Sequence, residues 1–294
     1  MINTTIVIAA GLTLLPFLWA AFFANRLSER KETLPTWVRL LRPSVLCIPY
    51  ALVASSAGMF QWRWLVLYAV LPVVVAVVLW QAGRSDPQQR GSWLDFAVLA
   101  TLGLAVDLRW FERAWPAHLA AFNKILLLDA GIYGFQFLRG LDGVGFDLRL
   151  RNDDVKVGLR ELAFYTPIVV PIGLGLGFLH WHGVWPGWLK LMQLPAALLF
   201  TFFLIAVPEE LFFRGWLQNL LERRIGRYGA LATTALLFGL SHWNKRTAHF
   251  NWQYVLLAAV AGVFYGRAWR QGRRVGASAV THAAVDTIWS FWLR

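Results

Sequence analysis

Three groups of ionisable side chains lie within strongly apolar stretches of the C-terminal third of the sequence. They are Glu209, Glu210 and Arg214; His242; and His282 and Asp286. A carboxylate and a histidine together can hold and deprotonate a water molecule, and a second histidine can stabilise an oxyanion. The set therefore fits the attack of water on an amide carbonyl, which is the hydrolysis of a peptide bond.

Each group by itself also has a structural explanation. An ionisable side chain at the centre of a membrane helix costs roughly 2.5–3.5 kcal/mol on insertion scales, so it usually faces a partner or a cavity. Glu210 and Arg214 are spaced i,i+4 and are predicted to pair, whereas Glu209 points about 100° away. His282 and the acid four residues later share one helix face. The occurrence of all three groups on successive apolar segments favours one shared site over three separate structural roles.

The spacing of these residues resembles that of a known family. The pattern EExxxR begins at Glu209, FxxxH joins Phe238 to His242, and HxxxD joins His282 to Asp286. In this order they resemble the three motifs of the CAAX prenyl protease and bacteriocin-processing family, relatives of the type II CAAX prenyl endopeptidase. The resemblance covers roughly residues 160–294 and implies an intramembrane endopeptidase with an all-α catalytic core.

The resemblance also implies a role for each residue. Glu209 would be the general base and would hold the water together with His242. Glu210 and Arg214 would brace the site. His282 and the residue four positions later would stabilise the oxyanion.

That last position is Asn or Asp in the family, and it is Asp286 here. An ionised Asp cannot donate a hydrogen bond to an oxyanion. Asp286 is therefore protonated, orients His282, or binds a metal ion. The i,i+4 spacing favours the orientation of His282, since an anion stabilises an imidazolium.

The same side chains allow a metal-dependent alternative. Glu209, His242 and His282 could bind zinc and leave a coordination position for water, although the sequence contains no HExxH motif. We favour a glutamate-activated water without a cofactor, and a zinc metalloendopeptidase is the alternative.

The composition is typical of a membrane protein. Of the 294 residues, 58% are hydrophobic and 15% are charged, against roughly 25% charged residues in an average soluble domain. The net charge of +12 would be compatible with nucleic acid, but the basic residues lie between apolar runs. They predict membrane topology and attraction to anionic lipid, with no nucleic-acid partner. The single cysteine, Cys47, excludes an intrachain disulfide.

The apolar runs predict an all-α, polytopic transmembrane bundle of about 8–10 spans. The predicted helices lie near 4–24, 44–60, 64–82, 93–110, 118–138, 162–181, 191–212, 229–243, 252–270 and 277–293. Lys and Arg concentrate in alternate loops, which predicts that these loops are cytoplasmic and that both termini lie outside. Within the fifth span, Lys124 and Asp129 are predicted to pair.

The segment 140–158 is the main break in apolar character. We therefore predict three regions: N-terminal transmembrane helices of unknown role in 1–138, a cytoplasmic connecting segment in 139–160, and a catalytic membrane domain in 161–294. The alternating stretch FDLRLR within the connecting segment predicts a short hairpin or interfacial strand.

The sequence as a whole predicts a multi-pass protein of the cell (inner) membrane with an active site near the cytoplasmic side. The predicted partners are membrane lipid and a membrane-associated, lipidated or sorted protein or peptide as substrate, with no particular oligomeric state indicated. A transporter or a non-catalytic partner-binding scaffold would use the same intramembrane Glu and His residues and is the alternative. A transporter often contains a repeat between its halves, and none is evident here.

Overall fold

The computed structural model describes residues 4–28, 34–180, 187–245, 247 and 249–293. Contacts between Cα atoms divide the chain into two compact units, Met1–Asp142 and Gly143–Arg294. Within the described residues all regular structure is helical and no strand is present. The predicted all-α class is therefore confirmed.

The described residues of the first unit form six α-helices. They are α1 (Thr4–Ser28), α2 (Thr36–Leu41), α3 (Cys47–Ser56), α4 (Trp62–Ser85), α5 (Trp93–Asp107) and α6 (Ala121–Ile132), with a π-helical segment at Tyr133–Leu138. Short 3-10 segments lie between α2 and α3 and between α5 and α6. A buried series of hydrogen bonds links α4, α6 and the segment before α6. Trp115 Nε1 donates to the hydroxyl of Tyr68 at 2.6 Å, and this hydroxyl donates to Asn123 Oδ1 at 2.7 Å. These bonds satisfy polar groups that would otherwise be costly to bury.

The first unit also contains a buried ion cluster around Arg139, whose side chain is 1% exposed. The guanidinium donates to both carboxylate oxygens of Asp95, at 3.0 and 3.3 Å, and to Asp86 Oδ2 at 2.8 Å. Asp95 also closes a capping box with Ser92 at the start of α5. The cluster thus fixes the end of α4 and the start of α5 to the π-helical segment.

The predicted pair between Lys124 and Asp129 is not formed. Asp129 is buried in α6, and neither of its carboxylate oxygens has a hydrogen-bond partner. A spacing of five residues turns the two side chains about 140° apart on a helix, so one face cannot carry both.

In the part of the second unit that the structure describes, there are seven α-helices. They are α7 (Asn152–Gly175), α8 (Trp188–Met192), α9 (Leu194–Thr201), α10 (Val207–Glu210), α11 (Asn219–Leu240), α12 (Trp252–Gly272) and α13 (Val275–Trp292). Two π-helical segments, Phe202–Ala206 and Leu211–Gln218, lie before and after α10. Gly226 has φ 73° and ψ 173°, which interrupts α11 and lets the chain change direction.

Small residues allow the helices of the second unit to approach closely. A Cβ atom added to Gly262 of α12 would lie 2.9 Å from the Cα of Ala235 in α11. A Cβ added to Gly158 of α7 would lie 2.6 Å from a methyl carbon of Val280 in α13. This close approach brings α7, α11, α12 and α13 together around one apolar core.

The predicted hairpin or strand in FDLRLR is wrong, because residues 143–151 are irregular. The carbonyl of Gly145 accepts a hydrogen bond from the amide of Val275 at 2.9 Å. Arg274 donates to the carbonyls of Asp147 and Arg149, at 3.1 and 2.8 Å, and to both oxygens of Asp154. Arg274 therefore supplies hydrogen bonds to backbone carbonyls that would otherwise bond to a neighbouring strand, and it fixes the start of α13.

Five of the described helices are long and apolar enough to cross a membrane. They comprise Thr4–Phe23, Thr36–Ser56, Trp62–Ser85, Asn152–Gly175 and Leu194–Leu240. These helices and the resemblance noted above point to an integral membrane protein. The other predicted spans form shorter or more polar helices: α5 has 15 residues and α6 has 12, and α13 contains both His282 and Asp286.

Candidate active site

The predicted site residues are distributed over three regions of the second unit. Glu209 and Glu210 end α10, and Arg214 lies in the π-helical segment that follows it. His242 lies directly after α11, and His282 and Asp286 lie on α13. The fold brings side chains from all three regions together.

Glu210 is at the centre of this group. Its Oε1 accepts a hydrogen bond from Arg214 Nη1 at 3.0 Å and lies 2.8 Å from His282 Nδ1. The Glu210 and Arg214 side chains are fully buried, and that of His282 is 3% exposed. The predicted pairing of Glu210 with Arg214 is confirmed. A buried carboxylate is costly without charged partners, and Arg214 and His282 surround that of Glu210. The contact between Glu210 and His282 also links the first motif to the third.

Arg214 has further partners around its guanidinium. Nη2 donates to the carbonyl of Gly262 at 3.1 Å, and the guanidinium carbon lies 4.6 Å from the ring centroid of Phe238 and 5.4 Å from that of Tyr265. These distances are within the range of cation–π attraction. Arg214 is therefore held between α11 and α12.

The imidazole of His282 is fixed on two sides. Its ring stacks on that of Tyr265, with centroids 4.6 Å apart and an interplanar angle of 13°. Its Nε2 lies 3.6 Å from Asp286 Oδ2 and 3.8 Å from Glu209 Oε2. Both distances exceed that of a direct hydrogen bond. The short contact that orients His282 is therefore made by Glu210, and the predicted contact with Asp286 is the longer one.

His242 faces the same region from the end of α11. Its Nδ1 lies 2.8 Å from the carbonyl oxygen of Phe238. A carbonyl only accepts hydrogen bonds, so Nδ1 carries the proton and Nε2 is the acceptor of the neutral ring. The Phe238 ring lies 5.0 Å from His242 and 5.7 Å from His282.

A cavity of about 70 Å³ adjoins this group. It lies between α7, α12 and α13, and most of its lining is aliphatic or aromatic. His242, His282 and Asp286 contribute polar atoms to the lining. Glu209 Oε2 lies 3.8 Å from Nε2 of His282, which lines the cavity. A cavity of this volume, with polar groups in its wall, has room for several water molecules.

The arrangement does not match a metal site. Among the residues that the structure describes, no group of three or more His, Cys, Asp or Glu side chains is placed to hold a metal ion. We therefore derive no chemical step through zinc.

Two contact residues were missed in the sequence. Tyr265 stacks on His282, and Tyr254 lies 4.7 Å, between ring centroids, from His242. Both belong to α12, which carries no motif. The glycines at 262 and 266, spaced i,i+4, are the signal that could have found this helix, because small residues on one face indicate close helix packing.

Residues 191–288 match the family described as type II CAAX prenyl endopeptidase Rce1-like. The matched range contains all three motifs, and it confirms the resemblance based on them. No curated protein and no solved structure matches the chain. The match supports an intramembrane protease of the CAAX type.

Proposed function

We propose that this chain, whose residues 191–288 match the Rce1-like family of type II CAAX prenyl endopeptidases, hydrolyses a peptide bond of a membrane-associated protein or peptide. The observation that carries the proposal is the contact of His282 with Glu210 at 2.8 Å and with Glu209 at 3.8 Å. It joins two motifs that lie 72 residues apart, beside a cavity that His242 also lines.

In the proposed reaction, Glu209 accepts a proton from a water molecule that His242 Nε2 also holds. Both groups are hydrogen-bond acceptors, so they can align the two O–H bonds of one water while its lone pair faces the scissile carbonyl. The resulting hydroxide adds to the carbonyl carbon. The tetrahedral intermediate then collapses: the C–N bond breaks, Glu209 returns the proton to the leaving nitrogen, and a carboxylic acid and an amine are released.

His282 is proposed to stabilise the oxyanion that forms during this addition. Its Nδ1 donates to Glu210, and we propose that Nε2 carries a second proton, which it donates to the oxyanion. Asp286 and Glu209 lie on the Nε2 side at 3.6 and 3.8 Å, where they compensate the charge of this ring. Asp286 accordingly acts through His282 and makes no contact with the oxyanion.

Glu210 and Arg214 are proposed to be positioning residues. Arg214 compensates the charge of Glu210 and is itself fixed by the Gly262 carbonyl and by two aromatic rings. Glu210 in turn sets the plane of His282. This leaves Glu209, the adjacent acid, for the reaction with water.

The substrate is proposed to reach the site from the bilayer or its cytoplasmic surface. Five apolar helices support membrane insertion, and the concentration of Lys and Arg in alternate loops supports a cytoplasmic active site. Lipidated, sorted or leader-bearing membrane proteins and peptides are the substrate classes that this location allows. Nucleic acid has no role in this proposal.

The proposal is tested by comparing the membrane proteomes of cells that produce wild-type protein and the Glu209→Gln variant. Gln preserves the shape of Glu and removes the base. We expect at least one new peptide terminus that depends on the wild-type protein and is absent with Glu209→Gln at equal protein abundance. Asp153→Asn, at an exposed position of α7, is the matched control and should behave as wild type. Identical termini in all three samples would contradict the proposal.

A further inference from the structure

A fully buried carboxylate, that of Glu161, lies in the first half of α7 and binds side chains from two helices. Its Oε1 accepts hydrogen bonds from Arg160 Nη2 at 3.2 Å and from Gln271 Nε2 at 3.0 Å. Its Oε2 lies 3.1 Å from Nε of Arg267, which belongs to α12. Glu161 therefore holds one arginine of α7 and one of α12 at the same level of the bundle.

The two arginines are held by this carboxylate but are not enclosed. The side chains of Arg160 and Arg267 are 47% and 44% exposed. Among the described residues, Glu161 engages Nη2 of Arg160 and Nε of Arg267. Nη1 of Arg160 and both Nη atoms of Arg267 are therefore donors for another group. Two positive charges against one negative charge also leave this place with a surplus that attracts an anion.

Aromatic rings fix the position of Arg267 further. Its guanidinium carbon lies 5.8 Å from the ring centroid of Phe164 in α7 and 5.4 Å from that of Phe264 in α12. Both distances are within the range of cation–π attraction. Since Phe264 is buried and Phe164 is about half exposed, the guanidinium lies at the surface where the two helices meet.

An exposed apolar row runs along α7 from these arginines. Phe164, Ile168 and Ile172 follow Arg160 at intervals of four residues, so all four side chains share one helix face. The three apolar residues are 49%, 46% and 39% exposed. The distance from Arg160 to Ile172 is about 18 Å along the helix, which is close to half of a hydrocarbon core of roughly 30 Å.

The row begins where the predicted cytoplasmic segment ends, and α7 is one of the helices that can cross a membrane. Its exposed apolar face then lies against acyl chains, with the two guanidiniums at the level of the headgroups. Basic pockets between transmembrane helices on the cytoplasmic side are suited to anionic lipid headgroups.

We propose that Arg160 and Arg267 bind the phosphate of an anionic glycerophospholipid, whose acyl chain lies along Phe164, Ile168 and Ile172. Guanidinium donors match phosphate oxygens in geometry and in charge. Glu161 is buried and already engaged, so it is not a partner for the ammonium group of a zwitterionic lipid. The site therefore prefers an anionic headgroup, and this preference does not depend on the proposed hydrolysis.

The experiment measures lipid binding to the delipidated full-length protein in detergent by native mass spectrometry. The probes are phosphatidylglycerol and phosphatidylcholine with identical acyl chains, and the titration gives an apparent Kd for the first bound lipid. Arg267→Gln removes one guanidinium of the site. Arg149→Gln removes the same charge from a side chain that is 56% exposed in the segment before α7, and it is the matched control.

We expect wild type to bind phosphatidylglycerol at least about 5-fold more tightly than phosphatidylcholine, and Arg267→Gln to lose most of this preference, since one arginine near an anionic lipid is worth about that factor. Arg149→Gln should bind as wild type does. Thermal unfolding shows which variants are folded, and Arg160→Gln, with the same expected loss, serves if Arg267→Gln does not fold. Equal binding of the two lipids by wild type would overturn the inference.

Two further outcomes would also overturn it. An equal loss in Arg267→Gln and Arg149→Gln would indicate general attraction to positive charge without a site. Glycerophosphoglycerol, the deacylated form of phosphatidylglycerol, tests the apolar row. At millimolar concentration it should leave the lipid bound, because it lacks the acyl chains. Displacement of the lipid by this compound would show that the arginines take a free phosphodiester.

Discussion

Each unit of the molecule buries an arginine against acidic side chains, but the two clusters differ in how completely their polar atoms are hydrogen-bonded. In the first unit, Arg139 donates to Asp86 and Asp95, and backbone amides satisfy remaining carboxylate oxygens. In the second unit, Arg214 donates to Glu210, yet Glu210 Oε2 and Arg214 Nε have no hydrogen-bond partner. The first cluster is closed by hydrogen bonds, whereas the second is incompletely satisfied.

The difference separates a structural role from a chemical one. A fully satisfied cluster stabilises the geometry of its helices, and nothing about it requires a ligand. The second cluster also contains His282, whose Nε2 faces two further carboxylates beside a cavity. Buried polar groups that are left partly unpaired at such a site are a reason to expect function there.

The largest expected effect comes from removing each arginine in turn. Arg214→Ala and Arg139→Ala should both destabilise the protein by about 3–5 kcal/mol, because each leaves buried carboxylates uncompensated. Arg214→Ala should also abolish hydrolysis by the folded fraction, whereas Arg139→Ala should preserve it. Thermal unfolding in detergent and activity per folded molecule are the two measurements. Equal loss of specific activity in the two variants would remove the distinction between the clusters.

A smaller effect is expected at Asp286. Glu210 makes the 2.8 Å contact with His282, while Asp286 lies 3.6 Å from Nε2, so Asp286→Asn should preserve the orientation of the ring. We expect kcat to fall by less than about 10-fold, with KM unchanged, since one longer charge contact is lost. Steady-state kinetics of the two proteins measure this. A loss as complete as that of Glu209→Gln would show that Asp286 has a more direct role.

Much of the candidate site was predictable from the sequence because its motifs are local. Glu210 and Arg214 are four residues apart, as are His282 and Asp286, and helical periodicity places each pair on one face. The contact between Glu210 and His282 is not local, since it depends on how α10 and α13 pack. No pattern in either helix specifies it. The stacking of Tyr265 on His282 is a tertiary contact of the same kind.

The fold was predictable as a class and less so in detail. Apolar runs predicted an all-α membrane protein, which the helices confirm. The alternating stretch FDLRLR predicted a strand, but Arg274 supplies the hydrogen bonds that a partner strand would provide. Lys124 and Asp129 were predicted to pair by charge alone, although their spacing opposes it. The first error arises because a tertiary contact overrides a local pattern, and the second because helical spacing separates the two charges.

A third ion pair, at the surface of the second unit, should have a still smaller effect. Partial burial raises the pKa of Asp147, but hydrogen bonds from Arg149 and Arg274 outweigh this effect and lower that pKa below its usual value. This lowered pKa contributes stability that is present above the unfolded value of about 3.9 and is lost as the pH falls through the folded value. Asp147→Asn should therefore lower Tm slightly at pH 7, and the difference from wild type should be smaller at pH 3. A difference that is the same at both pH values would show that the charge of Asp147 is not involved.

Chelation is expected to have the smallest effect. Glu209, His242 and His282 are not placed as a set of metal ligands, so treatment of the purified enzyme with a chelator should leave hydrolysis unchanged within error. Elemental analysis of the active protein is the matching measurement. Stoichiometric zinc that is lost together with activity, and that restores activity on return, would favour the metalloendopeptidase alternative.

The central claim is that Glu209 activates water for peptide-bond hydrolysis. Its most direct test is the turnover of a wild-type-dependent cleavage-site peptide by purified wild type and Glu209→Gln in liposomes, with thermal unfolding measured in parallel. General-base catalysis contributes about 10²–10⁴-fold. The account predicts that Glu209→Gln loses at least this factor in kcat while its Tm stays that of wild type. Hydrolysis by Glu209→Gln at the wild-type rate would contradict it.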